Sequence, residues 1–272
     1  MDSAALDACF ARLGVAPPRA ATAEAVATVL RAQLAAIPFE NVDSYTGRVP
    51  DLAPDALVAK LVAGSRGGYC FEQNRLLWSM LEACGFGVRA LSARVLWRRP
   101  PDAVMPRTHM LLAVDVDGAP RLVDAGFGGL AVTAPLAFEP GALQRGGDVD
   151  FRLDRDGDDW TLSTRVAADW EPMYRFDMQA QHPADYDAAN WYVATHPASP
   201  FTSVLMAARA LPDRRLALRD REYTVRFRDG RTERVLLPDG RATVDVLVRD
   251  FGFAVGGLPG LPARIDARTG VA

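Results

Sequence analysis

The sequence predicts an α+β protein in three parts. Three observations carry this: helical periodicity over the first 85 residues, a change to short β-rich runs after Gly85, and a closing segment that mixes helix and strand. The parts are expected to divide at residues 1–85, 86–185 and 186–272. No internal repeat or low-complexity linker separates them, so they are expected to pack as one body. With 272 residues, 49% of them hydrophobic, the chain can bury a substantial core, which excludes disorder.

From Thr22 to Ile37, Val26, Val29, Leu30, Leu34 and Ile37 recur at helical spacing, and Pro38 stops the helix. Pro54 suits the first position of a second helix, with Leu57, Val58, Leu61 and Val62 as its stripe and Gly64 at its end. A third runs from about Cys70 to Cys84, with Leu76, Leu77, Met80, Leu81 and Cys84 inward and Gly85 as terminator. Strands are expected at Val88–Trp97, His109–Val116, Arg121–Asp124, Phe151–Leu153 and Trp160–Val166, forming an antiparallel sheet or small barrel. Tyr186–Thr195 reads as a helix. Val204–Leu211, Tyr223–Arg228 and Arg231–Leu237 read as strands, the last two around an Asp229-Gly230 turn, and a helix over Ala242–Phe251 closes the pattern.

A net charge of -3 gives no electrostatic basis for nucleic acid or an anionic membrane as main partner, so a small-molecule substrate is expected. No apolar run approaches the roughly 18 residues of a spanning helix, and Met1–Asp7 lacks the basic and apolar regions of a signal peptide. The expected location is cytoplasmic, as a monomer or small homo-oligomer. Cys9, Cys70 and Cys84 are too few for a disulfide framework and lack zinc-ligand spacing, so free thiols and no metal are expected.

Cys70 stands apart from the other two cysteines. It follows Gly67-Gly68-Tyr69 at a helix start, where unpartnered N–H groups and the aligned peptide dipoles favour anionic sulfur. A sulfur nucleophile needs a base. Of the three histidines, His182 and His196 each precede a proline, whereas His109 opens a strand that leads into Asp117-Gly118, a two-residue hairpin signal. If those two residues form the turn, Val116 faces Ala119 and paired numbers sum to 235, so Asp124 falls opposite Leu111. His109 shares a face with Leu111, which sets Asp124 diagonal to it at about 7–8 Å between backbones. A three-residue loop would send the two side chains to opposite faces.

The expected arrangement has Asp124 on Nδ1 of His109 and Nε2 facing the sulfur, with first-turn N–H groups available to a developing oxyanion. Acyl transfer is the reaction class this suits. Spacing alone leaves a structural cysteine and a structural His–Asp pair equally open. Cys84 reads as core, and the run Gly126-Phe127-Gly128-Gly129 is too generic to define a phosphate cradle.

Arg66-Gly67-Gly68-Tyr69-Cys70-Phe71-Glu72-Gln73-Asn74, with Ile37–Asn41, Thr108-His109, Val123–Gly129 and Thr195–Phe201, resembles the motifs of the arylamine N-acetyltransferases, in order and over nearly the whole chain. The resemblance implies a cysteine-protease-like fold: an N-terminal helical bundle carrying the cysteine, a central antiparallel β-barrel carrying His109 and Asp124, and a C-terminal α/β lid. It implies ping-pong chemistry in which Cys70 takes acetyl from acetyl-CoA, a donor substrate and not a bound cofactor, and passes it to an arylamine, arylhydrazine or arylhydroxylamine. It also implies that Phe39, Tyr69 and Phe127 line the acceptor pocket, that Trp97, Thr108, Gly128 and Phe201 touch the pantetheine, and that Glu40 and Arg66 brace the cysteine loop. Ala125 departs from the valine of many relatives. Two other enzyme readings fit the same three residues: an amide synthase moving a polyketide chain onto an arylamine, and a Cys-His-Asp hydrolase.

Overall fold

The computed structural model describes residues 1–100, 103–254 and 258–270. Helix α1 (Ser3–Leu13) is not among the sequence expectations, because its few apolar positions alternate with alanine and charge. Asp2 caps it by accepting from the Ala5 N–H at 2.8 Å, Gly14 ends it at φ +71°, and it buries Cys9, Phe10 and Leu13. Helix α2 (Ala23–Ala36) is capped by Thr22 and ends before Pro38, as the periodicity predicts. Strand β1 (Phe39–Glu40) and a single turn, α3 (Val42–Tyr45), follow.

The second expected helix begins at Pro54 but changes winding. An α-helical turn, α4 (Pro54–Leu57), passes into a π-helical stretch over Val58–Ala63, within which Lys60 reaches inward to Asp43 and Glu72, 2.6 Å from each. Helix α5 (Cys70–Ala83) keeps its expected bounds and buries Leu76, Leu77, Met80 and Leu81 against α1, α2 and the sheet.

Eight antiparallel strands come next: β2 (Val88–Val95), β3 (Arg107–Val116), β4 (Ala119–Val123), β5 (Leu136–Ala137), β6 (Leu143–Arg145), β7 (Asp150–Asp156), β8 (Asp159–Val166) and β9 (Asp169–Phe176). Their order, β5-β4-β3-β2-β9-β8-β7-β6, curls into a nearly closed barrel. The Gln144 side chain bridges the gap by bonding both the N–H and the carbonyl of Ala137, at 2.6 and 2.8 Å. Strand β9 escapes sequence reading because Pro172 interrupts it. The proline is accommodated at a register shift, where Leu162 pairs with Tyr174 and Ser163 with Pro172.

After α6 (Pro183–Thr195) and the turn α7 (Pro200–Ser203), the chain forms β10 (Met206–Ala210), β11 (Arg214–Arg219), β12 (Glu222–Phe227) and β13 (Thr232–Leu236). The sheet order is β1-β10-β11-β12-β13, so the first, otherwise helical part lends Phe39 and Glu40 to the last sheet. The β12–β13 loop has three residues, not two: Phe227 bonds Arg231, leaving Arg228, Asp229 and Gly230 at the tip, with Gly230 at φ +91°. Helix α8 (Gly240–Arg249) is capped by Asp239, and a further helix, α9 (Leu261–Thr269), follows it. Both cover one face of the sheet through Leu247, Leu261 and Ile265, with Phe251 just beyond α8 in the same core. Among the described residues, no helix is long and apolar enough to cross a membrane.

Candidate active site

Cys70 is the first residue of α5 and 4% exposed. The loop before it is shaped by close approach. A Cβ at Gly67 would lie 2.1 Å from the Pro38 carbonyl oxygen, and one at Gly68 would lie 2.8 Å from the Glu72 side chain, so neither position admits a side chain. Each residue of the triplet after Phe71 has a separate task. Glu72 accepts from the Tyr69 N–H at 3.0 Å, closing the helix start, and burial pushes its carboxyl up to about 7 although Lys60 pulls the other way. Gln73 donates to the Pro38 and Ile37 carbonyls at 2.9 and 3.1 Å. Asn74, one turn from Cys70, reaches the barrel.

The β3–β4 hairpin has the register computed from its turn. Asp117 and Gly118 sit at φ +52° and +78°, Val116 pairs with Ala119 and Leu112 with Val123, so Asp124 emerges one residue beyond, on the face of His109. The imidazole bonds the Asp124 Oδ2 at 2.7 Å, but through Nε2. This corrects the expected assignment. The partner is diagonal, so the nitrogen farther from the backbone makes the bond. Nδ1 is the ring nitrogen left free of Asp124, and the Cys70 sulfur lies 3.7 Å from the carbonyl of Thr108, the residue before His109.

The carboxylate is clamped from its other side. Asp124 Oδ1 accepts from Asn74 Nδ2 at 2.9 Å and from the Gly126 N–H at 2.7 Å, while Asn74 Oδ1 accepts from the Ala125 N–H. Burial alone would hold the imidazole neutral, but the Asp124 charge and the bonds to Asp124 and Cys70 outweigh it and push His109 up to about 10. Burial likewise opposes ionisation of Asp124, and His109, Asn74 and Gly126 together keep its carboxyl below the ordinary range.

Aromatic rings cluster around the pair and the cysteine loop. Phe127 meets the His109 ring edge-on at 5.3 Å between centroids, and Phe39 and Phe201 lie 6.3 Å apart, with Gly128 at φ +66° beside Phe39. Trp97 is partly buried against the barrel core. Tyr69 does not line an open surface. It is fully buried, packed edge-on against Phe71 and Phe201, and its hydroxyl bonds Asn190. Ala125 is buried behind the site. Arg66 donates twice to the buried Glu40 Oε1, at 2.7 and 3.0 Å, while Glu40 Oε2 accepts from the Val42 N–H. Loss of one partner of such a buried pair costs about 3–5 kcal/mol.

A family-level sequence profile described as N-acetyltransferase matches residues 22–258. An arylamine N-acetyltransferase from Mycolicibacterium smegmatis is 42% identical over 236 residues, covering 85% of this chain and 86% of that protein. The chain belongs to the arylamine N-acetyltransferase family. An arylamine N-acetyltransferase / N-hydroxyarylamine O-acetyltransferase from Salmonella typhimurium is 38% identical, covering 92% of this chain and 89% of that protein. The Mycobacterium marinum arylamine N-acetyltransferase, solved in complex with CoA, superposes with a TM-score of 0.91 at 39% identity, covering 97% and 99% of the two chains.

Two residues of this acetyltransferase site went unassigned in the sequence. Asn74 carried a usable signal, since a position four residues after Cys70 shares its helix face. Tyr174, whose ring lies 4.9 Å from that of His109, carried none, because it sits in the strand that Pro172 conceals.

The raised His109 value has a stability consequence of definite sign. Its ordinary value is 6.5, so the folded protein holds the proton more tightly than the unfolded chain, and that stabilisation is full below pH 6.5 and lost on the way to about 10. Urea unfolding of wild type and His109→Gln should therefore give a stability difference that narrows between pH 6.5 and 10. A difference independent of pH would contradict the ion pair.

Proposed function

We propose that this family member transfers acetyl from acetyl-CoA to an aromatic amine, hydrazine or hydroxylamine through an acetyl-Cys70 intermediate. The observation that carries the reading is the buried His109–Asp124 pair, 2.7 Å apart, presented to a sulfur at a helix start. Cys70 sulfur attacks the thioester carbonyl, a new C–S bond forms, the bond to CoA breaks, and His109 gives its proton to the departing sulfur. In the second half the amine nitrogen attacks the acetyl-cysteine, His109 takes the amine proton, and Cys70 leaves as thiolate. Asp124 holds the ring throughout, and the Cys70 backbone N–H, at the start of the helix, is available as a donor to the oxyanion.

The exchange of one thioester for another is nearly isoenergetic, and an aromatic amine is largely unprotonated near neutral pH. Phe39, Phe127 and Phe201 supply flat apolar walls for such a ring, with Tyr69 supporting Phe201 from behind. The CoA complex of the Mycobacterium marinum relative and the N-hydroxyarylamine in the name of the Salmonella relative support the donor and acceptor classes. Trp97, Thr108 and Gly128 flank the route for the pantetheine, Glu40 and Arg66 brace the loop, and the chain acts in the cytoplasm in three parts joined around the cleft.

Mass spectrometry tests this directly. Incubation with acetyl-CoA should release CoA and leave one acetyl group on Cys70, and 4-aminobenzoate or an aryl hydrazide should discharge it. An adduct on Cys84, or absence of CoA release, would overturn the reading. Rapid loss of the adduct without any amine would make the enzyme a hydrolase.

A further inference from the structure

A chain of alternating charges runs behind the cysteine loop. Lys60 Nζ lies 2.6 Å from both Glu72 Oε1 and Asp43 Oδ2, Asp43 Oδ1 faces Arg66 at 3.5 Å, and Arg66 in turn holds Glu40 at 2.7 Å. The loop Arg66–Tyr69 is threaded between the two ends of this chain. A Cβ at Gly67 would lie 2.7 Å from Glu40 Cγ, and one at Gly68 would lie 2.8 Å from the Glu72 side chain. Lys60 and Asp43 lie outside the motif segments that resemble the family.

Lys60 sits in the π-helical stretch Val58–Ala63, where the Gly64 N–H bonds the Ala59 carbonyl, five residues back, at 2.8 Å. Such winding is rare and appears often at functional sites. The Lys60 carbonyl accepts from the Arg66 N–H at 3.2 Å, so this residue meets the loop through its backbone at one end and through its ammonium, by way of Glu72, at the other.

Charge explains why a cation is needed there. Three carboxyls, Glu40, Asp43 and Glu72, meet Lys60 and Arg66, with Arg48 reaching Asp43 from the exposed side. Burial and the Glu40 charge push the Glu72 carboxyl up to about 7, and Lys60 is the main opposing influence. Burial would likewise strip Lys60 of its proton, but Glu72, Glu40 and Asp43 hold it above its ordinary value. Glu72 Oε2 accepts the Tyr69 N–H at 3.0 Å and so fixes where α5, and Cys70 with it, begins. Among the described residues, Lys60 is the only cation within salt-bridge distance of Glu72. Without it Glu72 would be a buried charge lacking a counterion in contact, a state relieved by taking up a proton or by turning toward water.

We propose that Lys60 is a positioning residue for acyl transfer: from a turn of π-helix it holds the Glu72 carboxylate on the Tyr69 N–H, and through that bond it fixes the seat of the Cys70 sulfur. The assignment rests on Cys70 being the nucleophile of the proposed reaction.

A cycle of Lys60→Met, Glu72→Gln and the double variant tests it, read by the rate of Cys70 alkylation with iodoacetamide, by kcat/KM for acetyl transfer and by thermal melts. Lys60→Met should slow alkylation and transfer by roughly tenfold, less than the hundredfold that a displacement of about 1 Å can cost. In the Glu72→Gln background the neutral amide still accepts the Tyr69 N–H and needs no counterion, and Asp43 keeps Arg48 and Arg66. There the same Lys60 substitution should cost less than about twofold. A Lys60→Met protein that melts lower but alkylates at the wild-type rate would overturn the proposal and reduce Lys60 to a structural ion pair. An equal loss in both backgrounds would also overturn it, because Lys60 would then act other than through Glu72. If Lys60→Met does not fold, the double variant compared with Glu72→Gln decides alone: equal rates support the assignment, and a slower double variant overturns it. Wild-type Cys70 alkylated no faster than Cys84 would overturn Cys70 as the nucleophile, and with it the reading beneath this one.

Discussion

Replacement of Cys70 by serine is expected to abolish acetyl transfer while the fold persists. The loss should be on the order of 10⁴-fold or more in kcat/KM, because residues that act as a unit fail together once the nucleophile is removed. A serine hydroxyl is far less ionised than a thiol at neutral pH, and the His109 imidazole, already held as the protonated partner of Asp124, is a poor base for it. The structural cost should be small. Apart from its interaction with His109, Cys70 makes one weak contact, to the Thr108 carbonyl, which a hydroxyl can also make, and Glu72, not Cys70, closes the helix start. Steady-state transfer assays, paired with a thermal melt, decide the matter. A variant that melts normally and keeps more than about a tenth of wild-type kcat/KM, a loss under about 1.4 kcal/mol of transition-state stabilisation, would exclude Cys70 as the acetyl carrier.

Asp124→Asn should be nearly as damaging, by a route that the geometry specifies. Asp124 Oδ1 accepts from both Asn74 Nδ2 and the Gly126 N–H, so an asparagine at 124 keeps its oxygen there and turns its amide NH₂ toward His109. His109 Nε2 would then have to accept. The ring proton moves to Nδ1, the nitrogen not held by Asp124, and the base that should take the thiol proton carries one already. Inversion of the tautomer in a comparable triad costs about 10⁴-fold in kcat, and a loss of that order is expected here. Alkylation of Cys70 by iodoacetamide at neutral pH should slow in parallel with acetyl transfer. Normal alkylation with impaired transfer would assign Asp124 to substrate handling instead of to the imidazole.

The contrast between β4 and β9 shows what made parts of the structure legible. The β3–β4 hairpin could be numbered residue by residue because Asp117-Gly118 sets the turn and an alternating run continues on each side. Strand β9 is longer than β4 and more central to the barrel, yet Pro172 breaks its pattern, and only pairing with both β2 and β8 holds it. Likewise α1 buries only Cys9, Phe10 and Leu13, and α9 only Leu261 and Ile265, with α2 and α8 among their packing partners. Their helical character comes from that burial more than from their own periodicity. Strand β1, two residues long, has no local signal and exists because β10 pairs with it.

Within the site, local chemistry determined the most: the placement of Cys70 at a helix start, the common face of His109 and Asp124, and the motif set that marks the family. These depend on interactions spanning one helical turn or one hairpin, where spacing and stereochemistry leave few choices. Tertiary structure alone decided which imidazole nitrogen meets the carboxylate, which side chains clamp that carboxylate and that Tyr69 is enclosed. Each of those outcomes depends on surfaces brought together from far apart in the chain, where the requirement to satisfy every buried donor and acceptor selects one packing among many that the local pattern allows.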